Sequence, residues 1–231
     1  MPDDVDSESA GGGALDPIFA PRSIAVIGAS RHRDSIGFAL LHNLVANEFN
    51  GAIFPVNPHA AALHSLKCYP SVAAVPDPID LAVVAVPREA VQEVVEQCLA
   101  KGVRGLVVIS AGFGETGAEG AERERRLRET VRAAGVRMIG PNCMGVINTD
   151  PEVRLNATFA PTPARPGAFG FVSQSGAFGV AILNVVHDLG IGLTQFASMG
   201  NKADVSGNDP CCRWPHTRPG TWCAASAASS C

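Results

Sequence analysis

Lysine and the large polar aromatics are scarce in this chain. Of 231 residues only three are Lys (Lys67, Lys101, Lys202) and one is Tyr (Tyr69), and both Trp (Trp214, Trp222) fall near the end. Lys and Arg together number 18 against 22 Asp and Glu, for a formal net charge of -4. No basic field is available to hold nucleic acid or an anionic membrane surface. Long apolar runs are also missing: the longest, such as Ile79 to Pro87, fall far short of the ~20 residues a membrane-spanning helix needs. Residues 1–14 are acidic and small and show no charged-then-apolar signal pattern. Cysteines are not lacking, but they are badly distributed. Cys68, Cys98 and Cys143 are scattered without metal-ligand spacing, whereas Cys211, Cys212, Cys223 and Cys231 crowd the end of the chain. The isolated thiols of the body predict a reduced, cytoplasmic protein.

What is present is an alternation of short apolar runs and longer amphipathic stretches. The apolar pattern predicts strands at 23–27, 52–56, 79–86, 105–110 and 136–139, with helices at 36–47, 89–101 and 118–134. The run Ile-Asp-Leu-Ala-Val-Val-Ala-Val at 79–86 is nearly continuous in branched residues, as a strand covered on both faces should be. This order predicts an α/β fold, a Rossmann-like doubly wound parallel sheet over residues 15–145. A disordered leader is expected at 1–14 and a linker at 146–167, Pro-rich over 160–167. The pattern then restarts with a strand at 168–172, a helix at 177–189 and a strand at 193–198, an incomplete flavodoxin-like α/β domain over 168–209. Two parallel strands and a helix cannot bury both faces of a sheet, so this second unit is expected to leave an edge and apolar surface open.

Four turns could carry chemistry. Gly28-Ala29-Ser30 through Gly37 follows the first strand and opens a helix, where exposed amides and the helix dipole suit phosphate. The second strand ends Pro55-Val56-Asn57-Pro58-His59 without an acid for ribose hydroxyls, which disfavours NAD. The turns at Val86-Pro87, Ser110–Gly114 and Gly140–Cys143 lie at the carboxyl ends of later strands, where open α/β sheets bind ligands. Cys143 has no nearby His and reads as a small buried hydrophobe. Ser173-Gln174-Ser175-Gly176 can cap the next helix or grip an anion, and it is not a G-x-S-x-G nucleophile elbow. Lys202 and Asp204, after Gly200-Asn201, read as a solvated loop pair or as the lining of a second anion site. None of the six histidines has an acidic partner at catalytic spacing.

Seven stretches in series, SIAVIGAS, PVNP, DLAVVAVP, VISAGFGE, RMIGPNCMGVIN, GFVSQSGAFG and SMGNKADVSGND, resemble the α portion of NDP-forming acyl-CoA synthetases. These are the ADP-forming acetate–CoA ligases, relatives of the succinyl-CoA synthetase α subunit. The resemblance covers residues 15–209. It implies coenzyme A as ligand, with Gly28, Ala29, Ser30 and Gly37 on its phosphates and Val86 and Pro87 on its adenine or pantetheine side. Gly112, Asn142 and Cys143 would face the thiol end, and Ser173, Ser175 and Gly176 would hold a phosphate. It also implies a small carboxylic acid as co-substrate, with ATP/ADP and Mg entering only through a missing or separate nucleotide-grasp domain or β subunit. The family usually carries Lys where this chain has His59, and Gly where it has Ser65. Its phosphohistidine lies beyond the matching region, so no catalytic residue is assigned. A non-catalytic CoA-binding module, or the front of an acyl-CoA-dependent lysine acetyltransferase, are the other readings.

Residues 210–231 break the pattern. A zinc site from Cys211, Cys212, His216 and Cys223 fits no familiar spacing. The abrupt change of composition predicts a tail from a shifted reading frame, without protected backbone.

Overall fold

The computed structural model describes residues 15–207, residue 209 and the backbone of Trp222–Ser226. The expected leader, and most of the tail with its cysteines and His216, lie outside the described residues.

The first sheet holds β1 (Ser23–Ile27), β2 (Ala52–Val56), β5 (Leu81–Val84), β6 (Gly105–Val108) and β7 (Arg137–Ile139) in the order β2-β1-β5-β6-β7, all parallel. Apart from Ser23 at the start of β1, the three central strands are apolar, because both faces are covered. Ile24 and Val26 of β1 join one core with Leu40, Leu41 and Leu44 of α2 (Ile36–Ala46). Ala25 and Ile27 join the other, with Val91 and Val95 of α3 (Arg88–Lys101) and Leu127 and Val131 of α4 (Ala118–Ala133). The short helix α1 (Asp16–Phe19) buries Ile18 and Phe19 under the first of these cores. From β1 the chain runs outward to β2 and then returns to the opposite side of β1 as β5. The carboxyl edge between β1 and β5 is thus the point where strand order reverses, the place such sheets bind ligands. Between β2 and β5 a small hairpin, β3 (Ala62–Leu63) with β4 (Leu66–Lys67), turns on His64 (φ 47°) and Ser65 (φ 62°). A left-handed backbone is ordinarily given to Gly.

The second sheet departs from the sequence reading. Besides β10 (Pro166–Ser173) and β11 (Leu193–Ser198) it contains β8 (Gly145–Asn148), β9 (Leu155–Thr158) and β12 (Trp222–Ser226), in the order β12-β10-β11-β8-β9. Strands β8 and β9, antiparallel to each other and with β8 antiparallel to β11, occupy the stretch expected as a linker. They pair because Val146, Leu155 and Ala157 have a core to enter: the α2 side of the first sheet, which they share with Val172, Ala197 and Met199. Asn43 of α2 donates to the carbonyls of Thr158 (2.8 Å) and Ala160 (2.9 Å), fixing the helix to the end of β9. One face of the second sheet is therefore closed by the first unit. The other is covered by α5 (Gly176–Asp188) through Leu183, Phe196 and Leu193.

The break in composition at residue 210 does not end the fold. Trp222–Ser226 pairs in parallel with β10, Phe169 opposite Trp222 through Ser173 opposite Ser226. Its backbone amides are thus in a ladder, contrary to the unprotected tail expected from composition; unpaired amides and carbonyls of β10 are a sufficient template for an edge strand. Contrary to expectation, neither face of the sheet is left open; the exposed apolar surface lies instead on and beside α5, at Phe178, Val185 and Leu189.

Candidate functional site

The β1–α2 turn brings backbone close to backbone. Gly28 has φ 90°, and a Cβ there would lie 2.2 Å from the Ala85 carbonyl oxygen; one on Gly37 would lie 1.9 Å from the carbonyl oxygen of Gly28. The two glycines let the first turn of α2 settle onto the ends of β1 and β5. Ser35 caps the helix: its Oγ accepts from Phe38 N at 3.2 Å and donates to His32 O at 2.7 Å. Asn57, at the end of β2, donates to Ala29 O at 2.7 Å and holds the loop from the side. The amides of Ile36 and Gly37 precede the helix's own ladder and form a donor pair at the positive end of the dipole.

A second turn of the same design opens α5. Ser175 Oγ accepts from Phe178 N at 3.3 Å, and Ser173 Oγ donates to Ser175 O at 2.8 Å. Ser173 is fully buried. Its hydroxyl proton shapes the cap and is not offered to a ligand. Gly176 and Ala177 supply the free amides here, and a Cβ on Gly176 would meet nothing within 4 Å.

Both helix starts face one cleft of about 760 Å³ between the two units. Ile36 lines it from α2, Gln174 through Ala177 from α5, and Ala85 through Arg88 from the end of β5. Asn142, Cys143 and Met144 form another wall, with Phe159, Gly200 and Asn201 closing it. Of the residues marked by sequence, Val86, Pro87, Asn142, Cys143, Ser175 and Gly176 meet here. Gly28, Ala29, Ser30 and Gly37 build the turn behind Ile36 and do not themselves line the cleft. Gly112 (φ 101°) stands beside it, packed on the stem of Arg88.

Cys143 is not a nucleophile. It is 4% exposed, its thiol donates to Val108 O at 3.2 Å, and burial pushes its pKa up to about 12. Asn142, in the left-handed region at φ 56°, donates from Nδ2 to Asn201 Oδ1 at 3.3 Å. Asn201 Nδ2 in turn reaches Glu115 Oε2 at 2.6 Å and Glu124 Oε2 at 2.7 Å. Glu115 also accepts from the amides of Gly112 (2.5 Å) and Phe113 (3.2 Å). Burial alone would raise the Glu115 carboxyl, but the bonds from Asn201 and these amides outweigh it and hold the group below its ordinary range. This network ties the loop after β11 to the loops after β6 and β7. Asp204 strengthens it by pairing with Arg137 at 3.0 Å and Arg132 at 3.5 Å. The expected solvated Lys202–Asp204 pair is replaced by these two arginines, with the Asp204 carboxylate itself buried.

Sequence reasoning missed Asn201, Glu115 and Arg88 as site-forming residues. The first two lie inside stretches that stood out, but nothing in their spacing links residue 115 to residue 201. Among the described residues no group of three or more His, Cys, Asp or Glu could hold a metal ion. No helix among them is long and apolar enough to cross a membrane.

Comparison with known proteins fits this geometry. The model of a family described as a CoA binding domain matches residues 22–149. The chain belongs to the CoA-binding-domain family. Behind that domain, residues 166–227 match the succinyl-CoA ligase like flavodoxin domain, a span that includes β12. The chain is homologous to the α subunit of an ADP-forming acetate–CoA ligase I from Pyrococcus furiosus, 43% identical over 200 residues, which are 85% of this chain and 43% of that protein. A 4-hydroxybutyrate–CoA ligase [ADP-forming] from Nitrosopumilus maritimus is 40% identical over 190 residues, 82% of this chain and 27% of that one. Among solved structures, the dinucleotide-forming acetyl-coenzyme A synthetase 1 of Ca. Korarchaeum cryptofilum, in complex with phosphate and ADP, superposes with a TM-score of 0.85 at 40% identity, over 90% of this chain and 44% of that one. The chain spans less than half the length of these relatives.

Proposed function

We propose that this CoA-binding domain, with the flavodoxin-like unit behind it, is the CoA-holding part of an NDP-forming acid–CoA ligase. The overall reaction would join a small carboxylic acid to CoA, converting ATP to ADP and phosphate. The observation that carries the reading is that the starts of α2 and α5 line one cleft, so that two anionic groups can be held at once with the reacting atoms between them.

In this reading the α2 turn, shaped by Gly28, Ala29, Ser30 and Gly37, receives the diphosphate of CoA on the amides of Ile36 and Gly37. The close approach of backbones leaves no side chain in the way. Val86 and Pro87 flank the uncharged arm. Asn142, held by Asn201, is the polar group nearest the thiol end, while Cys143 supplies only the shape of the wall. The amides of Gly176 and Ala177 and the dipole of α5 would stabilise the charge of a phosphorylated intermediate near the acid. Ser175 contributes by capping and Ser173 by fixing that cap. A nucleotide-grasp partner would supply ATP, ADP and Mg.

Calorimetric titration tests the reading. CoA should bind, dephospho-CoA more weakly and NAD not at all; no response to CoA at millimolar concentration would overturn it. The purified chain should make no acyl-CoA from acetate, ATP and CoA by itself. ATP-dependent labelling of a histidine in a complex with a nucleotide-grasp subunit would separate the ligase from a purely binding module.

A further inference from the structure

Arg88 is the one ionised side chain among the described residues that line the cleft. Its position is electrostatically awkward. It is the first residue of α3, at the positive end of that helix's dipole, where a cation is disfavoured. Glu89 compensates in part, accepting from Arg88 Nε at 2.8 Å, but the two side chains are 48% and 69% exposed. The two terminal guanidinium nitrogens have no partner among the described residues.

The stem is nevertheless held. Across the cleft mouth Gly112 has φ 101°, and a Cβ there would lie 2.3 Å from Arg88 Cδ. The methylenes of Arg88 thus run over bare backbone in the turn after β6. Because the strand order is β1-β5-β6, this places the stem on the β6 side of the cleft, away from the Gly28 turn that follows β1. A planar fork with free donors, placed against the local dipole on a residue that lines a cleft with Ser110, Asn142 and Asn201, matches the geometry of a carboxylate or phosphate.

We propose that Arg88 binds an oxyanion at the reacting end of the cleft, and not the diphosphate of CoA. The source is either phosphate or a second carboxylate on the acid substrate. The proposal deepens the CoA-ligase reading and rests on it.

Titration of the full chain, followed by amide chemical shifts with and without saturating CoA, tests it using inorganic phosphate, succinate and butyrate as probes. Arg88→Ala should weaken phosphate about tenfold, or abolish a preference for succinate over butyrate, while CoA affinity is kept. The first result identifies phosphate as the source and the second a dicarboxylic acid. Arg88→Lys should recover part of the loss, since charge returns without the fork. Thermal unfolding should be unchanged in both variants. Equal binding of all three probes by Arg88→Ala and the unaltered chain overturns the proposal, as does a loss confined to CoA. If the unaltered chain ignores CoA, the ligase reading falls, and the proposal with it. CoA binding with unaltered oxyanion binding in Arg88→Ala removes the proposal alone.

Discussion

The two helix starts that face the cleft share a cap but not a setting. Each opens on a serine that accepts from a phenylalanine amide three residues on, Ser35 with Phe38 and Ser175 with Phe178. Behind Ser35 the helix is clamped: Gly37 touches Gly28, and Leu40, Leu41 and Leu44 are fully buried between the two sheets. Behind Ser175 the helix lies on one sheet only, with Gly179 and Leu183 buried and Phe178 and Val185 open. The same local chemistry thus yields a firmly held helix start in one place and a less covered one in the other. The cap serine specifies where a helix begins; the number of layers around it decides how firmly that beginning is held.

The sharpest way to break this comparison is a methyl group at each start. Gly37→Ala should cost about 3 kcal/mol in denaturant unfolding, because the new Cβ overlaps a carbonyl that cannot retreat. Gly176→Ala meets open space and should lie within about 1 kcal/mol of neutral, on the stabilising side. Equal costs would show that the two turns are equally packed.

Next in size is the seam between the units. Asn201→Ala removes the amide shared by Glu115 and Glu124 and should cost about 2 kcal/mol. The Glu115 carboxyl is held below its ordinary value in the fold, so its contribution is complete above about pH 4.3 and is lost as pH falls through the lower, folded-state value. Glu115→Gln should therefore flatten the acid limb of a stability–pH curve and leave its neutral shape alone.

Removing the caps themselves is a smaller perturbation. Ser175→Ala should cost about 1 kcal/mol, and Ser35→Ala somewhat more, because Ser35 also donates to His32 O. Reversal of that order in thermal unfolding would contradict the difference between the starts. The smallest change improves the clamped unit. Ser65→Gly relieves a φ of 62° in the β3–β4 hairpin and should stabilise by about 1 kcal/mol, read as a higher midpoint in urea.

Elements with a continuous apolar run were legible one by one. Strand bounds at Ser23–Ile27 and Ala52–Val56 follow directly from short apolar runs bounded by turn residues, and Leu193–Ser198 was read with the same bounds although Thr194, Gln195 and Ser198 are polar and buried. Strands β8 and β9 were not legible. Asn148, Asn156 and Thr158 interrupt them, and these polar groups are tolerated because Asn148 bonds Phe19 O and Thr158 bonds Asn156. The site was legible as turns and illegible as a network. Gly28, Ser175 and Asn142 announce themselves by local geometry, whereas Asn201, Glu115 and Arg88 matter only through residues far away in sequence.

Periodicity and turn chemistry therefore settled the five parallel strands and three long helices of the first unit, though not α1 or the β3–β4 hairpin, together with the resemblance to CoA-handling proteins. These are local properties: apolar spacing fixes the face a segment must bury, and a serine before a helix satisfies amides a few residues on. Tertiary structure alone decided that part of the expected linker would become two strands, and that one helix would serve both sheets. Those outcomes depend on which surfaces find partners across the chain. A free carbonyl or an uncovered sheet face takes whatever segment can satisfy it, whatever that segment's own propensity.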